Sequence, residues 1–405
     1  MVLTDRRIVL GVCGGIAAYK VIEVARNLTT AGARVDTIMT EDAAQFVTPL
    51  TFQTLTRRPV LCDMFRLLET MEIGHVSLGR QADAMLVAPA TANTLAKMVH
   101  GQADNLLLTT YLATRAPVIV APAMDANMWE HPATQSNIEA LRQRGVILVG
   151  PDHGPLASGQ VGLGRLAAAD EIIGTLRQAL GRSGPLRGRH VLVTAGGTRE
   201  PLDPVRYLGN RSSGKMGYAL AQAAIDRGAE VTLVTAPTVL RPPVGAHVEA
   251  VETALDMRDA VLAFSEEADV VLMAAAVADF RPSAYSAEKI KKDGKPTLPI
   301  TLERNPDILL DIARMRLEGA GPAVVVGFAA ETGDLVARAR DKLLAKSLDL
   351  IVAHDIPAPG SGFEGDTNRV TLISADGTIE ALPLMTKEEV AERVLDRVVG
   401  LMRGT

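Results

Sequence analysis

Short apolar runs alternate with longer amphipathic stretches along the whole chain. In the first half the apolar runs are RIVLGVC (7–13), ARVDTIMT (33–40), AMLVAPA (84–90), APVIVAPA (116–123) and GVILVG (145–150). They lack strict apolar–polar alternation, which is typical of strands buried on both faces of a parallel sheet. Helical patterns fill the gaps, as in AAYKVIEVARNLTTAG, where Gly32 suits a helix end.

The second half begins the same pattern again. Its apolar runs are HVLVTA (190–195), AEVTLVTAP (229–237), ADVVLMAAAV (268–277), AVVVGFAA (323–330) and LDLIVAH (348–354). RVTLIS (369–374) and GTIEALP (377–383) predict an antiparallel hairpin at a sheet edge. The segment KEEVAERVLDRVVGLM has the apolar spacing of a helix. The fold class is therefore α/β, with two doubly wound domains whose ligands bind at the carboxyl ends of the strands.

Length and composition support a two-domain protein with a small-molecule function. A chain of 405 residues exceeds one ordinary core. LGRSGPLRGRH (180–190) has no periodicity and is the best linker, which predicts domains at 1–188 and 189–405. A net charge of −5 argues against nucleic acid or an anionic membrane as the main partner, and 3% aromatic residues argue against base stacking.

Cysteine usage and the amino-terminal sequence bear on location. Two cysteines, Cys13 and Cys62, exclude a disulfide scaffold and a cysteine-rich metal site. The start of the chain imitates a secretory signal, but glycines and Lys20 interrupt its apolar run, which predicts a first strand instead. No run approaches the roughly 18 apolar residues needed to span a membrane. We expect a cytoplasmic protein.

The most polar stretch of the chain is TAGGTREPLDPVRYLGNRSSGKMG (194–217). Its glycine turns and basic side chains suit an anion; these side chains are Arg199, Arg206, Arg211 and Lys215. GNRSSGKM (209–216) nearly matches a nucleotide P-loop, but Met216 replaces the magnesium-binding hydroxyl, so we reject the P-loop and keep a phosphate site. The alternative is a long solvated loop. The stretch resembles the signature of phosphopantothenate–cysteine ligases, which form the carboxy-terminal half of the bifunctional bacterial coenzyme A biosynthesis proteins.

Motifs in the first half follow predicted strands. GVCGGIAAYK is a strand, a glycine turn and a helix, but it does not match the dinucleotide pattern G-x-G-x-x-G. PATANT (89–94), PAMDANMW (122–129) and the glycine-rich flap GPLASGQVGLGRLA (154–167) accompany it. Together they resemble the flavin-containing cysteine decarboxylases over nearly all of residues 5–175. The resemblance implies a flavodoxin-like domain whose FMN ligands, partly shared across a subunit boundary, are Gly14, Gly15, Thr40, Thr91, Asn93, Thr94 and Thr109.

The same resemblance implies that His75 is the essential histidine of the decarboxylase. An imidazole suits this role because it exchanges a proton near neutral pH. Without the surrounding match, His75 would be assigned to the surface or a helix cap. In these enzymes flavin oxidises the thiol-bearing carbon, creating an electron sink for the departing carboxyl, and reduced flavin then returns the electrons.

Substrate contacts implied by this resemblance include two departures from the family pattern. Asp125, Met128 and Arg165 fall at substrate-binding positions, and Ser158 falls at the catalytic position of the flap. Asp125 replaces the usual Asn, and its charge should repel a substrate carboxylate unless it is protonated or turned aside. Ser158 replaces the usual Cys proton donor, and a hydroxyl is a far weaker acid than a thiol.

The second half contains further segments of the ligase family. Asp279 ends a buried strand, and EKIKKDGK (288–295) is either a solvated loop or a basic lid. The resemblance covers about residues 188–400 and implies a nucleotide-binding ligase domain in which Asn210 aids conversion of an acyl-cytidylate, with Lys289 and Arg206 near the phosphates. His354 replaces the usual Asn. The implied CTP contacts are Ala275, Asp279, Lys289, Asn305, Pro306, Asp307, Ile308, Leu309, Leu310, Phe328, Lys342 and Lys346.

These resemblances imply a bifunctional enzyme. The second domain joins 4′-phosphopantothenate to L-cysteine with CTP, normally with Mg²⁺, and the first decarboxylates the product to 4′-phosphopantetheine. A homo-oligomer with trimeric flavin domains and dimeric ligase domains is expected. Two alternatives stay open: a ligase whose flavin domain is an assembly scaffold, and a non-catalytic flavin-binding interaction protein. The sequence does not decide between CTP and ATP.

Overall fold

The computed structural model describes residues 1–64, 74–291, 296–331, 334–355 and 365–403. The chain divides into two compact units, Val2–Gly181 and Arg182–Thr405, each with its own sheet. Part of the predicted basic lid, residues 292–295, lies outside the described residues.

The first unit is built on a five-stranded parallel sheet in the order β2-β1-β3-β4-β5. The antiparallel hairpin β6–β7 forms the flap. The strands are β1 Arg7–Val12, β2 Arg34–Met39, β3 Ala84–Ala90, β4 Val118–Pro122, β5 Ile147–Leu148, β6 Asp152–Pro155 and β7 Val161–Arg165. The helices are α1 Ala18–Thr30, α2 Ala43–Phe46, α3 Pro49–Thr56, α4 Gly74–Gln81, α5 Ala92–His100, α6 Leu106–Ala113, α7 Ala126–Glu130, α8 Pro132–Gln143 and α9 Ala169–Gly181. This strand order is that of flavodoxin-like folds, whose switch point lies between β1 and β3.

The second unit contains an eight-stranded sheet in the order β12-β11-β8-β13-β16-β17-β19-β20. Its first six strands are parallel in the doubly wound 3-2-1-4-5-6 order, and β19 and β20 are antiparallel. The sheet strands are β8 His190–Ala195, β11 Glu230–Thr235, β12 Ala246–Ala250, β13 Val270–Met273, β16 Val324–Glu331, β17 Leu350–Asp355, β19 Val370–Ser374 and β20 Ile379–Ala381.

Shorter ribbons and the helices α10 to α14 complete the described part of the second unit. The ribbons pair β9 Arg199–Pro201 with β10 Tyr207–Gly209, β14 Phe280–Pro282 with β15 Leu302–Arg304, and β18 Thr367–Asn368 with β21 Met385–Thr386. The helices are α10 Lys215–Ile225, α11 Ala254–Ser265, α12 Ile308–Leu317, α13 Leu335–Ala345 and α14 Lys387–Arg403.

The cores explain why the apolar runs became central strands. Along β8, Val191 and Val193 join the apolar cluster with α10 and α14, whereas Leu192 joins the cluster with α11, α12 and α13. Both faces of such a strand are covered, so neither face selects polar residues. The predicted two-domain α/β fold and the hairpin of β19 and β20 are confirmed.

Candidate active sites

The first candidate site is a cavity of about 510 Å³ at the carboxyl edge of the first sheet. The turns after β1, β3 and β4 line it, and the flap contributes the remaining wall. This is the switch point at which doubly wound sheets bind their ligands. Seven of the predicted site residues line the cavity: Gly14, Gly15, Thr91, Asp125, Met128, Ser158 and Arg165.

The glycine turn after β1 combines close packing with open space. A Cβ at Gly14 would lie 2.2 Å from the Cβ of Asp42, so a side chain does not fit there. A Cβ at Gly15 would have Thr91 as its nearest neighbour at 3.9 Å, on the side where the cavity lies. A planar ligand can therefore approach the backbone at Gly15, as a phosphate- or flavin-binding turn requires.

Behind this turn, hydroxyl groups connect α5 to β1. Thr91 caps α5 by accepting a hydrogen bond from the backbone N–H of Thr94 at 3.2 Å. The hydroxyl of Thr94 donates to the Sγ atom of Cys13 at 3.3 Å. Burial raises the pKa of the Cys13 thiol to about 11, so this thiol stays protonated and is neither nucleophile nor ready acid at neutral pH.

The two departures from the family pattern contact each other. The Ser158 hydroxyl donates to Asp125 Oδ2 at 2.7 Å, and Asp125 Oδ1 accepts from the backbone N–H of Asn127 at 3.0 Å. Asp125 thereby caps α7. The Met124 N–H donates to the Gly164 carbonyl at 2.9 Å, and a Cβ at Gly164 would lie 2.2 Å from the Met124 oxygen. The flap thus lies directly on the Asp125 segment.

Charged side chains give one wall of this cavity a polar character. Lys20 and Arg165 both line it. Burial lowers the pKa of Lys20, the Arg165 charge lowers it further, and Asp152 opposes both effects. Burial and Asp152 raise the pKa of Glu171. The half-buried Lys20 and the exposed Arg165 together favour an anionic ligand group.

Five predicted residues of the flavin domain lie outside this lining. Asn93 is exposed on the first turn of α5, and Thr94 is buried behind Thr91. Thr40 follows β2 and accepts from the Ala43 N–H at 3.2 Å. Thr109, on α6, donates to the Asn105 carbonyl at 2.8 Å. His75 is half-buried near the start of α4, which packs against α6.

The second candidate site is a cavity of about 570 Å³ at the carboxyl edge of the second sheet. Residues 210–217, the segment after β13 and the ends of β16 and β17 line it. The polar stretch singled out in the sequence thus forms one wall. The predicted residues Asn210, Ala275, Asp279, Phe328 and Lys342 line the cavity, together with Arg211, Lys215 and His354.

Glycines bring the backbone close together at this wall. Gly196 has φ +81°, and a Cβ at Gly197 would lie 2.7 Å from the Asn210 carbonyl oxygen. Gly214, with φ +76°, precedes α10, and a Cβ at Gly217 would lie 2.5 Å from the Cβ of Ala195. The α10 helix therefore packs tightly on β8 while its first N–H groups lie beside the cavity, an arrangement that suits phosphate.

Hydrogen bonds fix the segment after β13 against the polar stretch. The Asn210 amide donates to the Val277 carbonyl at 2.9 Å. The Thr198 hydroxyl accepts from the Ala278 N–H at 2.9 Å, and the Thr194 hydroxyl accepts from the Ala275 N–H at 3.0 Å. The position of Asn210 is therefore set by backbone contacts across the cavity wall.

Asp203, which sequence reasoning missed, organises the turn that carries Arg206. Its carboxylate accepts from both Arg206 Nε at 2.9 Å and the Ile290 N–H at 3.1 Å, and it also accepts from the Val205 N–H at 2.9 Å. The Arg206 hydrogen bond, followed by backbone N–H groups, holds the pKa of Asp203 well below its usual range, although burial opposes this. The Asp-Pro dipeptide of the turn was the available signal. Arg206 and the exposed Lys289, next to Ile290, lie outside the cavity lining.

The predicted nucleotide contacts at 305–310 and Lys346 also lie outside the lining. Asn305 is buried and donates to the Ala278 carbonyl at 2.8 Å. Asp307 precedes α12 without a side-chain cap and pairs with Lys346 at 2.8 Å. Pro306 is half-buried and Leu310 exposed, whereas Ile308 and Leu309 belong to the core. These residues support the segment that carries Asp279.

Two buried polar residues of the lining were not predicted. Asn368 lies in β18 and Lys387 begins α14, and both line the second cavity. Lys387 was part of a helical pattern, and a cation at the first helical position, where the helix dipole disfavours it, was the available signal.

Within the described ranges, no group of three His, Cys, Asp or Glu side chains could hold a metal ion. None of the helices in those ranges is long and apolar enough to cross a membrane.

Comparison with known proteins gives full-length matches. Residues 2–181 match the Flavoprotein family, and residues 186–402 match the DNA/pantothenate metabolism flavoprotein C-terminal domain. The chain is 46% identical over 407 residues to the coenzyme A biosynthesis bifunctional protein CoaBC of Bacillus subtilis (strain 168), covering 100% of this chain and 99% of that protein.

Further relatives carry the same name. The protein of Mycobacterium tuberculosis (strain ATCC 25618 / H37Rv) is 46% identical over 412 residues, covering 98% of this chain and 97% of its own. That of Vibrio vulnificus (strain CMCP6) is 43% identical over 401 residues and covers 99% of both chains. With two family models spanning nearly all its residues and relatives matched end to end, the chain belongs to the family of coenzyme A biosynthesis bifunctional proteins CoaBC.

Proposed function

We propose that residues 189–405 join 4′-phosphopantothenate to L-cysteine at the expense of CTP, and that residues 1–188 decarboxylate the product to 4′-phosphopantetheine with FMN. The observation that carries this proposal is the pair of cavities with charged side chains in their linings, one at the switch point of each sheet. Membership of the bifunctional family supports two consecutive steps of coenzyme A biosynthesis on one chain.

In the ligase step, the substrate carboxylate attacks the α-phosphorus of CTP, giving an acyl-cytidylate and pyrophosphate. The cysteine amine then attacks the acyl carbon, and CMP leaves. Charge grows on the phosphate oxygens, so cations and helix N–H groups fixed beforehand lower the barrier. Lys342 and the start of α10 occupy such positions in the cavity, and Asn210 is held beside the segment after β13. Lys289 and Arg206 are proposed to approach the phosphates. Asp279 and Phe328 are proposed to contact the rest of the nucleotide.

The remaining nucleotide residues are assigned by family likeness. Asn305 to Leu310 and Lys346 are proposed to contact the nucleotide beyond the cavity lining, on the side of Asp279, because Asn305 bonds to Ala278 and Lys346 to Asp307. Mg²⁺ is expected to arrive with the triphosphate, whose oxygens supply most of the ligands that this ion prefers.

The first cavity fits a flavin. Its volume lies in the range of cofactor sites, the open backbone at Gly15 admits a ring or phosphate, and Thr91 offers a hydroxyl. When bound, FMN supplies the reversible two-electron oxidation that makes carboxyl loss possible. Gly14, Gly15, Thr91 and Thr94 are proposed to hold it, with Thr40, Asn93 and Thr109 completing the site. The wall containing Arg165 and Met128 would bind substrate.

Proton handling in the decarboxylase falls to His75, Asp125 and Ser158 in this proposal. Ser158 donates to Asp125, so Asp125 is turned toward the flap hydroxyl instead of facing a substrate carboxylate alone. Ser158 can pass its proton to Asp125 while accepting one from the substrate thiol, and return it when the thiol is restored. His75 is proposed to act from α4, with a neighbouring subunit completing the site in a homo-oligomer.

Separate assays of the two steps test the proposal. Purified full-length protein should release pyrophosphate continuously only when CTP, phosphopantothenate and cysteine are all present. Without cysteine, pyrophosphate release should stop after one equivalent per site, because the acyl-cytidylate then has no acceptor. The protein should release CO₂ from phosphopantothenoylcysteine without any nucleotide, and its absorbance should show flavin bands. Pyrophosphate release without CO₂ would select the scaffold alternative suggested by Asp125 and Ser158. Flavin binding with neither product would select the interaction protein.

A further inference from the structure

Asn368 is a buried amide in the wall of the second cavity. It lies in β18, is 6% exposed and lines the cavity. Among the described residues its Oδ1 atom has no hydrogen-bond partner, and its Nδ2 atom lies 4.0 Å from Met216 Sδ, a weak acceptor. Buried amides are nearly always satisfied, because leaving one without a partner costs stability. The fold therefore leaves this carboxamide available to a ligand.

Asn305 shows the contacts that a structural amide makes in the same domain. It is also 6% exposed, but its Nδ2 atom donates to the Ala278 carbonyl at 2.8 Å and its Oδ1 atom accepts from Arg281 at 2.8 Å. Both halves of that carboxamide are used within the fold. Asn368 is buried to the same degree without a protein partner for its oxygen, so a structural role does not account for its amide.

The unpaired atom defines the chemistry of the ligand group. A carboxamide oxygen is an acceptor, so the ligand has to bring an N–H or O–H donor. The neighbouring Nδ2 atom is a donor and needs an acceptor beside that group. An ionised phosphate offers acceptors alone and an ammonium offers donors alone, whereas an amide next to a hydroxyl offers one of each. The ligand group that fits Asn368 is therefore neutral and polar.

The position of Asn368 selects one substrate of the proposed ligase reaction. β18 contacts α14, which packs with α10 on one face of the sheet. The proposed nucleotide contacts at 305–310 and Lys346 lie around α12 and α13, which cover the other face. Met216, next to Asn368, is the second residue of α10, whose first N–H groups are proposed to hold the phosphate under attack. The attacking acyl substrate is therefore expected on the side of α10 and α14.

We propose that Asn368 recognises 4′-phosphopantothenate in the ligase site, its Oδ1 atom accepting a hydrogen bond from the amide N–H of this substrate. This inference rests on the proposed ligase function. Two methylene groups separate that amide nitrogen from the reacting carboxylate, so an amide held at Asn368 leaves the carboxylate beside the start of α10. The hydroxyl next to the amide carbonyl can accept from Nδ2. Asn368 acts on binding and specificity, and no bond to it forms or breaks.

The test compares the amide substrate with its ester analogue, in which an oxygen replaces the amide N–H. The full-length variants are N368L, which has a similar size but no hydrogen-bonding group, and Q222L as the matched control. Gln222 also carries a carboxamide and lies on α10, but it donates to Asp226 at 2.9 Å and lies outside the cavity lining. The readouts are the ratio of kcat/KM for the two substrates, from continuous pyrophosphate release at saturating CTP and cysteine, and the KM for CTP.

The wild type should prefer the amide substrate by about 10- to 100-fold, because the ester oxygen would leave Oδ1 buried without a donor. N368L should reduce this preference to within about threefold, because no buried acceptor remains to be satisfied. Q222L should keep the wild-type ratio, and N368L should keep the KM for CTP within about twofold. Since both substrates are compared within one preparation, a fraction of unfolded enzyme does not change the ratio.

Three results would overturn the inference. A wild type that uses the ester as well as the amide would leave water as the partner of Oδ1, and this comparison needs no variant. N368L that retains the wild-type preference would show that the amide N–H has another partner. A raised KM for CTP in N368L, with the ratio unchanged, would place the nucleotide at Asn368 instead. A wild-type protein that releases no pyrophosphate from either substrate would refute the proposed ligase function itself.

Discussion

At the scale of single residues, Asp125 and Ser158 show how two substitutions can be understood together. Taken separately from the sequence, Asp125 threatens to repel a carboxylate and Ser158 is a poor acid. In the structure the Ser158 hydroxyl donates to the Asp125 carboxylate at 2.7 Å, so each changes the chemistry available to the other. Chain positions 33 residues apart gave no sign of this contact, because the flap hairpin creates it.

We expect the pair to act as a unit in decarboxylation. S158A and D125N should each lower CO₂ release by about 10²-fold or more, the range of a lost proton-transfer group. The double variant should be no slower than the slower single variant, because either change already breaks the relay. Pyrophosphate release by the same preparations serves as the control and should not change. Losses that multiply in the double variant would show that the two residues act independently.

Asp203 supports a prediction about acid stability. Its folded-state pKa lies below the unfolded value, so its contribution is fully present above the ordinary aspartate range, near pH 4, and is lost as pH falls through the lowered pKa. D203N should therefore lower the midpoint temperature of thermal unfolding at pH 7. The difference in midpoint temperature between D203N and the wild type should become smaller as pH falls below 4. The unfolding transition to measure is the one whose midpoint rises when CTP is added, because a ligand stabilises the domain that binds it.

The matched control for Asp203 is D341N, at an exposed position of α13. It should leave the midpoint nearly unchanged at pH 7. A D203N midpoint equal to that of D341N at pH 7 would show that the contacts of Asp203 with Arg206 and Ile290 do not stabilise the fold.

At the scale of elements, burial decides what the sequence could predict. Central strands such as β3, buried along its whole length, appear as apolar runs. The edge strand β12 was not predicted, because its side chains are half or fully exposed and include His247 and Glu249. The flap and the hairpin of β19 and β20 had turn signals, whereas β18 and β21 have only two residues each. Asn368 lies in one of these two-residue strands, so no local pattern predicted that it lines the second cavity.

The contact between α10 and β8 gives a prediction about packing. An added methyl at Gly217 would lie 2.5 Å from the Cβ of Ala195 and 2.6 Å from the Thr194 carbonyl. G217A should cost about 1–3 kcal/mol through overpacking and lower the unfolding temperature of this domain by about 2–10 °C. It should also weaken CTP binding, because α10 carries N–H groups to the cavity.

Gly400 is the matched control for Gly217. It also lies in a helix, α14, but a Cβ there would have no atom within 4 Å. G400A should be neutral or stabilise by up to about 1 kcal/mol, since alanine favours helices over glycine. Equal unfolding temperatures for G217A and G400A would refute the close α10–β8 contact.

At the scale of the whole molecule, two sheets of different strand order each have a cavity at their own switch point. Sequence patterns predicted both sheets because every parallel strand needs cover on two faces, and the glycine turns lie at the two cavities. Residue roles were harder to predict. Arg206 and Lys346 are held by Asp203 and Asp307, which apolar periodicity cannot reveal.

The central claim is that one polypeptide makes phosphopantothenoylcysteine at its second cavity and decarboxylates it at the first. The most direct measurement supplies L-cysteine labelled in its carboxyl group, with CTP and phosphopantothenate, to the purified full-length protein. The account predicts one labelled CO₂ for each pyrophosphate released at steady state, with both stopping when CTP is withheld. Pyrophosphate release with the label remaining in the condensed product, or no pyrophosphate at all, would contradict it.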